Sequence, residues 1–375
     1  MHLTQALKTN PRFPILAHDD QDSLFAPAFG VLNEGISTRA FPCASVAITH
    51  KGKLVALKAV GRFTYDPESA PVNSDTMFDL ASVSKVVATT TMAMILYERG
   101  ELDLETPVVS LVPEFASSDD RRHEVTLHML LAHSSGLPAY VKLFEQASTA
   151  GQLLLAACRV PLAADPGTRA EYSDIGFIVL GEALTRLAGE RLDHFCQHQI
   201  FAPLGMVRTT FNPPIAVRAD VPPTADDKTF RHRVIQGEVH DENASVLGGV
   251  GGHAGVFATA GHVATFAHCM LTGGAPIVHP ETIARFTRRE TNPPGTSRAL
   301  GWDTPSQPSQ SGQYFSASSY GHLGYTGTSL WIDPERQLSV TLLTNRTWPD
   351  NRNQSIKRIR PLFHDTVVQC LETHS

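Results

Sequence analysis

At 375 residues, 42% hydrophobic and 18% charged, the chain has the composition of a globular protein that can bury a substantial core, as one large domain or two lobes. A net charge of −6 with no run of Lys or Arg argues against a nucleic-acid binder held by phosphates. The five cysteines (Cys43, Cys158, Cys196, Cys269 and Cys370) are odd in number and form no C-x-x-C pair, which argues against a disulfide framework and a thiolate zinc site.

No apolar stretch is long enough to span a bilayer. The opening MHLTQALKTNPRF lacks the apolar region of a secretory signal. The chain is therefore expected to be cytoplasmic, or periplasmic where a leader has been removed. Residues 1–21 are polar and irregular and take no assigned element. Residues 23–38 have a helical period, with Pro27 in the first turn. Cys43 to His50 and Leu54 to Leu57 read as a hairpin across Lys51-Gly52-Lys53. A further extended piece, Thr76 to Leu80, leads into Ser82. A helix is expected from Val83 to Gly100, then others over 125–131, 148–159, 175–187, with Asp174 as its cap, and 192–201. Residues 211–236, rich in proline and charge, read as loop. A glycine cluster at 248–255 precedes a helix over 259–271. After Pro276 the pattern is mixed, then strand-like again. Gly327 to Ile332 and Leu338 to Leu343 form a second hairpin, and residues 354–371 are helical in period.

Strands at both ends of the chain with helices between them predict an α+β fold. One antiparallel β-sheet, flanked by terminal helices, would carry a mainly helical inserted lobe. A single catalytic domain is expected, with a sheet lobe over about 22–80 plus 275–375 and a helical lobe over about 86–270. A cleft between the lobes is the natural place for a site.

Three motifs stand out. Ser82 and Lys85 lie three apart at a helix start, so a hydroxyl and an amine share one face among unpaired backbone N–H groups. A serine hydroxyl is a poor nucleophile until a neighbour takes its proton, and Lys85 is placed to do so. An N-cap beside a solvated lysine explains the same pair. Tyr172-Ser173-Asp174 follows a Pro-Gly turn; a phenol near an ammonium can relay a proton, though Tyr-x-Asp alone is common. His322-Leu323-Gly324 directly precedes the second hairpin. There a glycine on an edge strand lets a substrate approach the backbone, and the Tyr325 amide can pair with that of Ser82 as an oxyanion hole. In isolation this motif reads more readily as an ordinary strand.

Together, and in this order, the motifs resemble the penicillin-recognising serine hydrolases: class C β-lactamases, D-alanyl-D-alanine peptidases and their esterase relatives. LLAHSSGLP at 130–138, PGTRAEYSDIGFIVLGEAL at 166–184, GGHAGVFATAGHVATF at 251–266 and GHLGYTGTSLWIDP at 321–334 extend the resemblance over most of the chain. It implies a sheet of five or more strands, Ser82 as the acylated nucleophile, Lys85 as its partner and Tyr172 sharing base and acid duty. Asp174, His322, Gly324 and Tyr325 would face the substrate or the oxyanion.

Two departures matter. Asp174 stands where the family usually has asparagine, and its charge would hold Lys85 protonated while also disfavouring tyrosinate. His322-Leu323 replaces Lys-Thr, a pair that helps hold a substrate carboxylate, so β-lactamase activity is expected to be weak or absent. The expectation is an acyl-enzyme hydrolase of esters or amides, with small molecules or peptidoglycan fragments as substrates and no cofactor. The alternatives are a catalytically silent relative that binds a cell-wall ligand or protein partner, and a true class C-type β-lactamase. His194 and His198 have a helical i, i+4 spacing but no evident third ligand, so no metal is expected. The resemblance implies that the region of His240 and His253 borders the substrate cleft, with a structural loop as the even alternative.

Overall fold

A computed structural model describes residues 20–373; the irregular reading of the first residues lies outside the described residues up to residue 19. A single turn, Gln21–Leu24, and helix α1, Ala26–Ser37, open the described chain. Pro27 sits in the first turn of α1, where its missing N–H leaves no hydrogen bond unmade. Strands β1 (Cys43–His50) and β2 (Lys53–Gly61) then form a hairpin. Lys51 and Gly52 both take positive φ, 48° and 80°, the handedness that lets a tight turn follow the strand twist.

The expected helix from Val83 is instead built in three pieces. A 3₁₀ turn over Ala81–Val83 is followed by a π-helical turn over Lys85–Thr90 and then by α2, Thr91–Glu98. Farther along come α3 (Asp174–Ala188) and α4 (Ala260–Leu271). Strands β3 (Tyr320–Leu323), β4 (Ser329–Asp333) and β5 (Leu338–Thr344) and helix α5 (Ile356–Thr373) complete the chain.

The five strands form one antiparallel sheet in the order β2-β1-β5-β4-β3. The first strand thus pairs with the last, as the sequence pattern predicts. Side chains alternate across it with the period of two that strands impose. Val46, Ile48, Trp331, Val340 and Leu342 join Phe29, Leu32, Ile359, Phe363 and Val367 of α1 and α5 in one core. Ala47, Leu330, Ile332 and Leu343 face the other way, into a core shared with Val263 and Phe266 of α4. Burying one such side chain is worth roughly 1.5–3 kcal/mol, so both faces of the sheet are held firmly.

One reading is corrected and another gains detail. Residues 211–236 are not all loop: they contain a 3₁₀ turn, Ile215–Asp220, and a two-stranded ribbon of Ala225–Asp227 with Arg233–Ile235. The mixed stretch after Pro276 contains a helix, Pro280–Thr287. For the site, the consequential strand is β3. It lies at the sheet edge and brings His322 to the cleft.

Candidate active site

Ser82 is positioned by a strained approach. Phe78-Asp79 pairs antiparallel with Val256–Ala258, and the Leu80 amide donates to the Val256 carbonyl at 2.9 Å. The buried Asp79 carboxylate then accepts the amides of Ala81 at 2.8 Å and His240 at 2.6 Å. These bonds hold Ala81 at φ 46°, a left-handed conformation costly for a residue with a Cβ. Burial pushes the Asp79 carboxyl up to about 6, against the pull of both amides. Immediately beyond this kink, Ser82 turns its hydroxyl toward the cleft.

Four polar atoms close a ring there. Lys85 Nζ donates to Ser82 Oγ at 3.1 Å, to Asp174 Oδ1 at 2.6 Å and to the His253 carbonyl at 2.9 Å. Tyr172 Oη lies 2.7 Å from Ser82 Oγ and 2.9 Å from Asp174 Oδ1. The Lys85 side chain is fully buried. Burial pulls its ammonium below the ordinary lysine range, and the Asp174 carboxylate resists that shift. Burial, reinforced by the Asp174 charge, holds the Tyr172 phenol well above its ordinary range, so tyrosinate is disfavoured.

Asp174 reaches this ring because it is not the helix cap. Ser173 caps α3, accepting the Gly176 amide at 2.9 Å and donating to the Pro138 carbonyl at 2.7 Å. The expected capping role of Asp174 is thereby corrected, and its carboxylate is free to face Lys85. Behind Tyr172, the buried His133 ring lies 4.9 Å from the phenol ring and accepts the Ser173 amide at Nδ1.

The opposite wall comes from β3. His322 is buried, and Nδ1 lies 2.8 Å from the Leu323 carbonyl. A carbonyl only accepts, so Nδ1 carries the proton and Nε2 bears the lone pair, buried and with no partner among the described residues. Burial, then the charges of Lys85 and Arg298, keep this imidazole well below its ordinary range and neutral. Gly324 follows the strand, where a Cβ would fall on Thr328 Oγ1 and lie 2.5 Å from the Leu80 carbonyl. The glycine thus admits protein backbone, the turn that carries Ser82, rather than substrate alone. The Tyr325 amide donates to no backbone acceptor among the described residues, while the Tyr325 ring is half exposed. Ser82, Tyr172, Asp174, His322, Gly324 and Tyr325 all line one cleft of about 810 Å³, with Lys85 beneath it.

Two further neighbours complete the surroundings, and Arg298 carries no sequence motif. The Arg298 guanidinium lies 5.5 Å above the Tyr172 ring and makes one loose ion pair, 3.6 Å from Asp303. His253 supplies a backbone carbonyl to Lys85, a role any residue can fill. Its ring Nε2 lies 2.8 Å from Asp241 Oδ1. Burial alone would raise the Asp241 carboxyl. The His253 imidazole, the Ala244 amide and Lys85 outweigh it and hold the group at about 2. An acid depressed on folding contributes stability above its unfolded pKa and loses it as pH falls toward the folded value. Denaturant unfolding of the wild type should therefore weaken between pH 4 and pH 2. Asp241→Asn should flatten that decline by about 2 kcal/mol; an unchanged slope would remove Asp241 from the acid sensitivity.

Among the described residues, no group of three or more His, Cys, Asp or Glu is placed to hold a metal ion. His198 is exposed and lies 3.5 Å from Glu190. No helix among the described residues is long and apolar enough to cross a membrane.

Known proteins resemble this chain over most of its length. A beta-lactamase family model matches residues 26–361. A protein of Escherichia coli (strain K12) named "Putative D-alanyl-D-alanine carboxypeptidase" is 30% identical over 343 residues, covering 82% of this chain and 79% of the relative. An N-acetylmuramyl-L-alanine amidase of Bacillus subtilis (strain 168) is 30% identical over 343 residues, covering 82% and 77%. Among solved structures, EstCE1, a hydrolase with promiscuous acyltransferase activity, superposes with a TM-score of 0.75 at 23% identity, covering 92% of this chain and 99% of that one. The octameric penicillin-binding protein homologue from Pyrococcus abyssi gives 0.71 at 20% identity, covering 93% and 77%. At those identities the structural likeness concerns the fold.

Proposed function

The chain belongs to the beta-lactamase family and is a serine hydrolase of that kind, and from that premise we propose that it works through an acyl-enzyme on Ser82, cleaving amides of peptidoglycan-derived peptides or small esters. The carrying observation is the Ser82 hydroxyl, within hydrogen-bond reach of both Tyr172 and Lys85 on the surface of the cleft. Ser82 Oγ attacks the carbonyl carbon, and the Ser82 and Tyr325 amides receive the oxyanion. The polar ring around Ser82 handles the protons, and water releases the acid. The peptidoglycan assignment leans on the names of the two curated relatives, a carboxypeptidase and an amidase. Treatment with a fluorophosphonate followed by mass spectrometry should find the adduct on Ser82. An unlabelled protein would instead be a silent relative that only binds.

The state of His322 bears on β-lactams. With Nδ1 donating to the Leu323 carbonyl and Nε2 buried, the neutral imidazole supplies neither a donor nor a cation to a substrate carboxylate. Turnover of p-nitrophenyl esters should therefore run well above that of nitrocefin. His322→Lys should speed nitrocefin acylation by about tenfold or more, the worth of one hydrogen bond to a charged group. Efficient nitrocefin hydrolysis by the wild type, or no gain in the variant, would remove His322 as the discriminating residue.

A further inference from the structure

We propose that Asp174 is the terminal acceptor of the Ser82 proton, reached through Tyr172, while Lys85 remains an ammonium throughout. This rests on the acyl-enzyme reading above and assigns Asp174 a part in the chemistry rather than in substrate contact.

The hydrogen-bond geometry carries it. Tyr172 has one proton and two neighbours, Ser82 Oγ and Asp174 Oδ1. A carboxylate is the stronger acceptor, so the phenol donates to Asp174 and leaves a lone pair for the Ser82 proton. Ser82 Oγ lies closer to Tyr172 Oη, at 2.7 Å, than to Lys85 Nζ, at 3.1 Å. The Lys85–Asp174 contact of 2.6 Å is at the short end for a charge-assisted bond, as expected of an ammonium. Its three donors are then spent on Ser82, Asp174 and the His253 carbonyl. No partner is left without a bond in this arrangement. Tyrosinate is disfavoured by burial and by the Asp174 charge, so the phenol passes a proton on rather than holding a vacancy for one.

The step balances. As the Ser82 Oγ–carbon bond forms, the carbonyl π pair moves onto oxygen. The serine proton goes to Tyr172 Oη, and the phenolic proton goes to Asp174 Oδ1. On collapse, the bond from carbon to the leaving nitrogen or oxygen breaks, and its electron pair leaves with that atom. The leaving atom takes a proton from Tyr172, which recovers one from Asp174. Water repeats the sequence in deacylation.

Lys85 as the base predicts the opposite pH response, which makes the test decisive. The charged groups that face the ring are Lys85 and Arg298 on one side and Asp174 and Asp241 on the other; His133 and His322, both held neutral by burial, add no charge. Asp174→Asn keeps an acceptor oxygen but cannot take a proton. If Asp174 is the acceptor, the rate of fluorophosphonate labelling of Ser82 should fall about 10²-fold near neutrality. Its acid limb should move to higher pH, where Lys85 begins to lose its proton and substitutes. If Lys85 is the base, removing the Asp174 charge eases its deprotonation and the limb moves to lower pH. A limb that moves down or stays put, whatever the rate, overturns the proposal. Tyr172→Phe breaks the same relay while keeping the Lys85–Asp174 pair. It should be slowed comparably, with the double variant no slower than the worse single one. Labelling of Tyr172→Phe at the wild-type rate, or losses that multiply in the double variant, also overturn the proposal. Absence of any Ser82 adduct in the wild type at every pH would sink the acyl-enzyme reading itself.

Discussion

Ser82→Ala is expected to lower turnover of any ester or amide substrate by about 10⁴-fold or more, while leaving the folded protein about as stable as the wild type. The size of the loss follows from covalent catalysis: removal of a nucleophile disables its proton-transfer partners with it, so they act as one unit. The near-neutral stability follows from the local hydrogen bonds. Without Oγ, the Lys85 ammonium still reaches Asp174 and the His253 carbonyl, and the Tyr172 hydroxyl still reaches Asp174. Two hydrogen bonds, to Lys85 and to Tyr172, are lost beside a cleft from which water can replace them, a cost of about 1 kcal/mol. Initial rates and a thermal melt check both halves. An alanine variant that keeps measurable burst kinetics on a p-nitrophenyl ester would place the nucleophile elsewhere in the cleft.

What the sequence makes legible here depends on whether the determining contact is local. The alternation of Val46 and Ile48 against Ala47, and the i, i+3, i+7 spacing of Ile356, Ile359 and Phe363, are local patterns, and they locate β1 and α5 within two residues or so. The turn after Ser82 is not legible, because residues 85–90 are all buried and so show no periodic face to read. Ser173 and Asp174 are both good cap residues, and contacts distant in sequence, from Ser173 to the Pro138 carbonyl and from Lys85 to Asp174, decide between them. Arg298 sits in no motif, and His253 acts through its backbone. The chemistry-bearing side chains of the ring were visible as residue types in family order. Which of them donates and which accepts was not, since that depends on distances of a few tenths of an ångström across the fold.

Gly324→Ala should damage both stability and catalysis, and the two losses can be separated. The added Cβ would fall on Thr328 Oγ1 and come 2.5 Å from the Leu80 carbonyl, which that hydroxyl already binds at 2.8 Å. Neither neighbour is the free end of a flexible side chain, so the end of β3 must retreat from the turn that carries Ser82. Overpacking of this kind costs about 1–3 kcal/mol. The retreat carries the Tyr325 amide away from the Ser82 amide, and loss of one oxyanion donor lowers kcat by about 10²–10³-fold. Gly321→Ala provides the control on the same strand. Its Cβ would fall on the Leu330 carbonyl and lie 2.5 Å from the Trp331 ring, a clash of comparable severity directed into the sheet rather than toward Ser82. The two variants should lose similar stability by denaturant titration. Only Gly324→Ala should lose kcat per folded molecule at a temperature where both remain folded. Equal kcat values in the two would mean that the approach of β3 to Ser82 serves the fold alone, and the Tyr325 amide would then drop out of the proposed oxyanion hole.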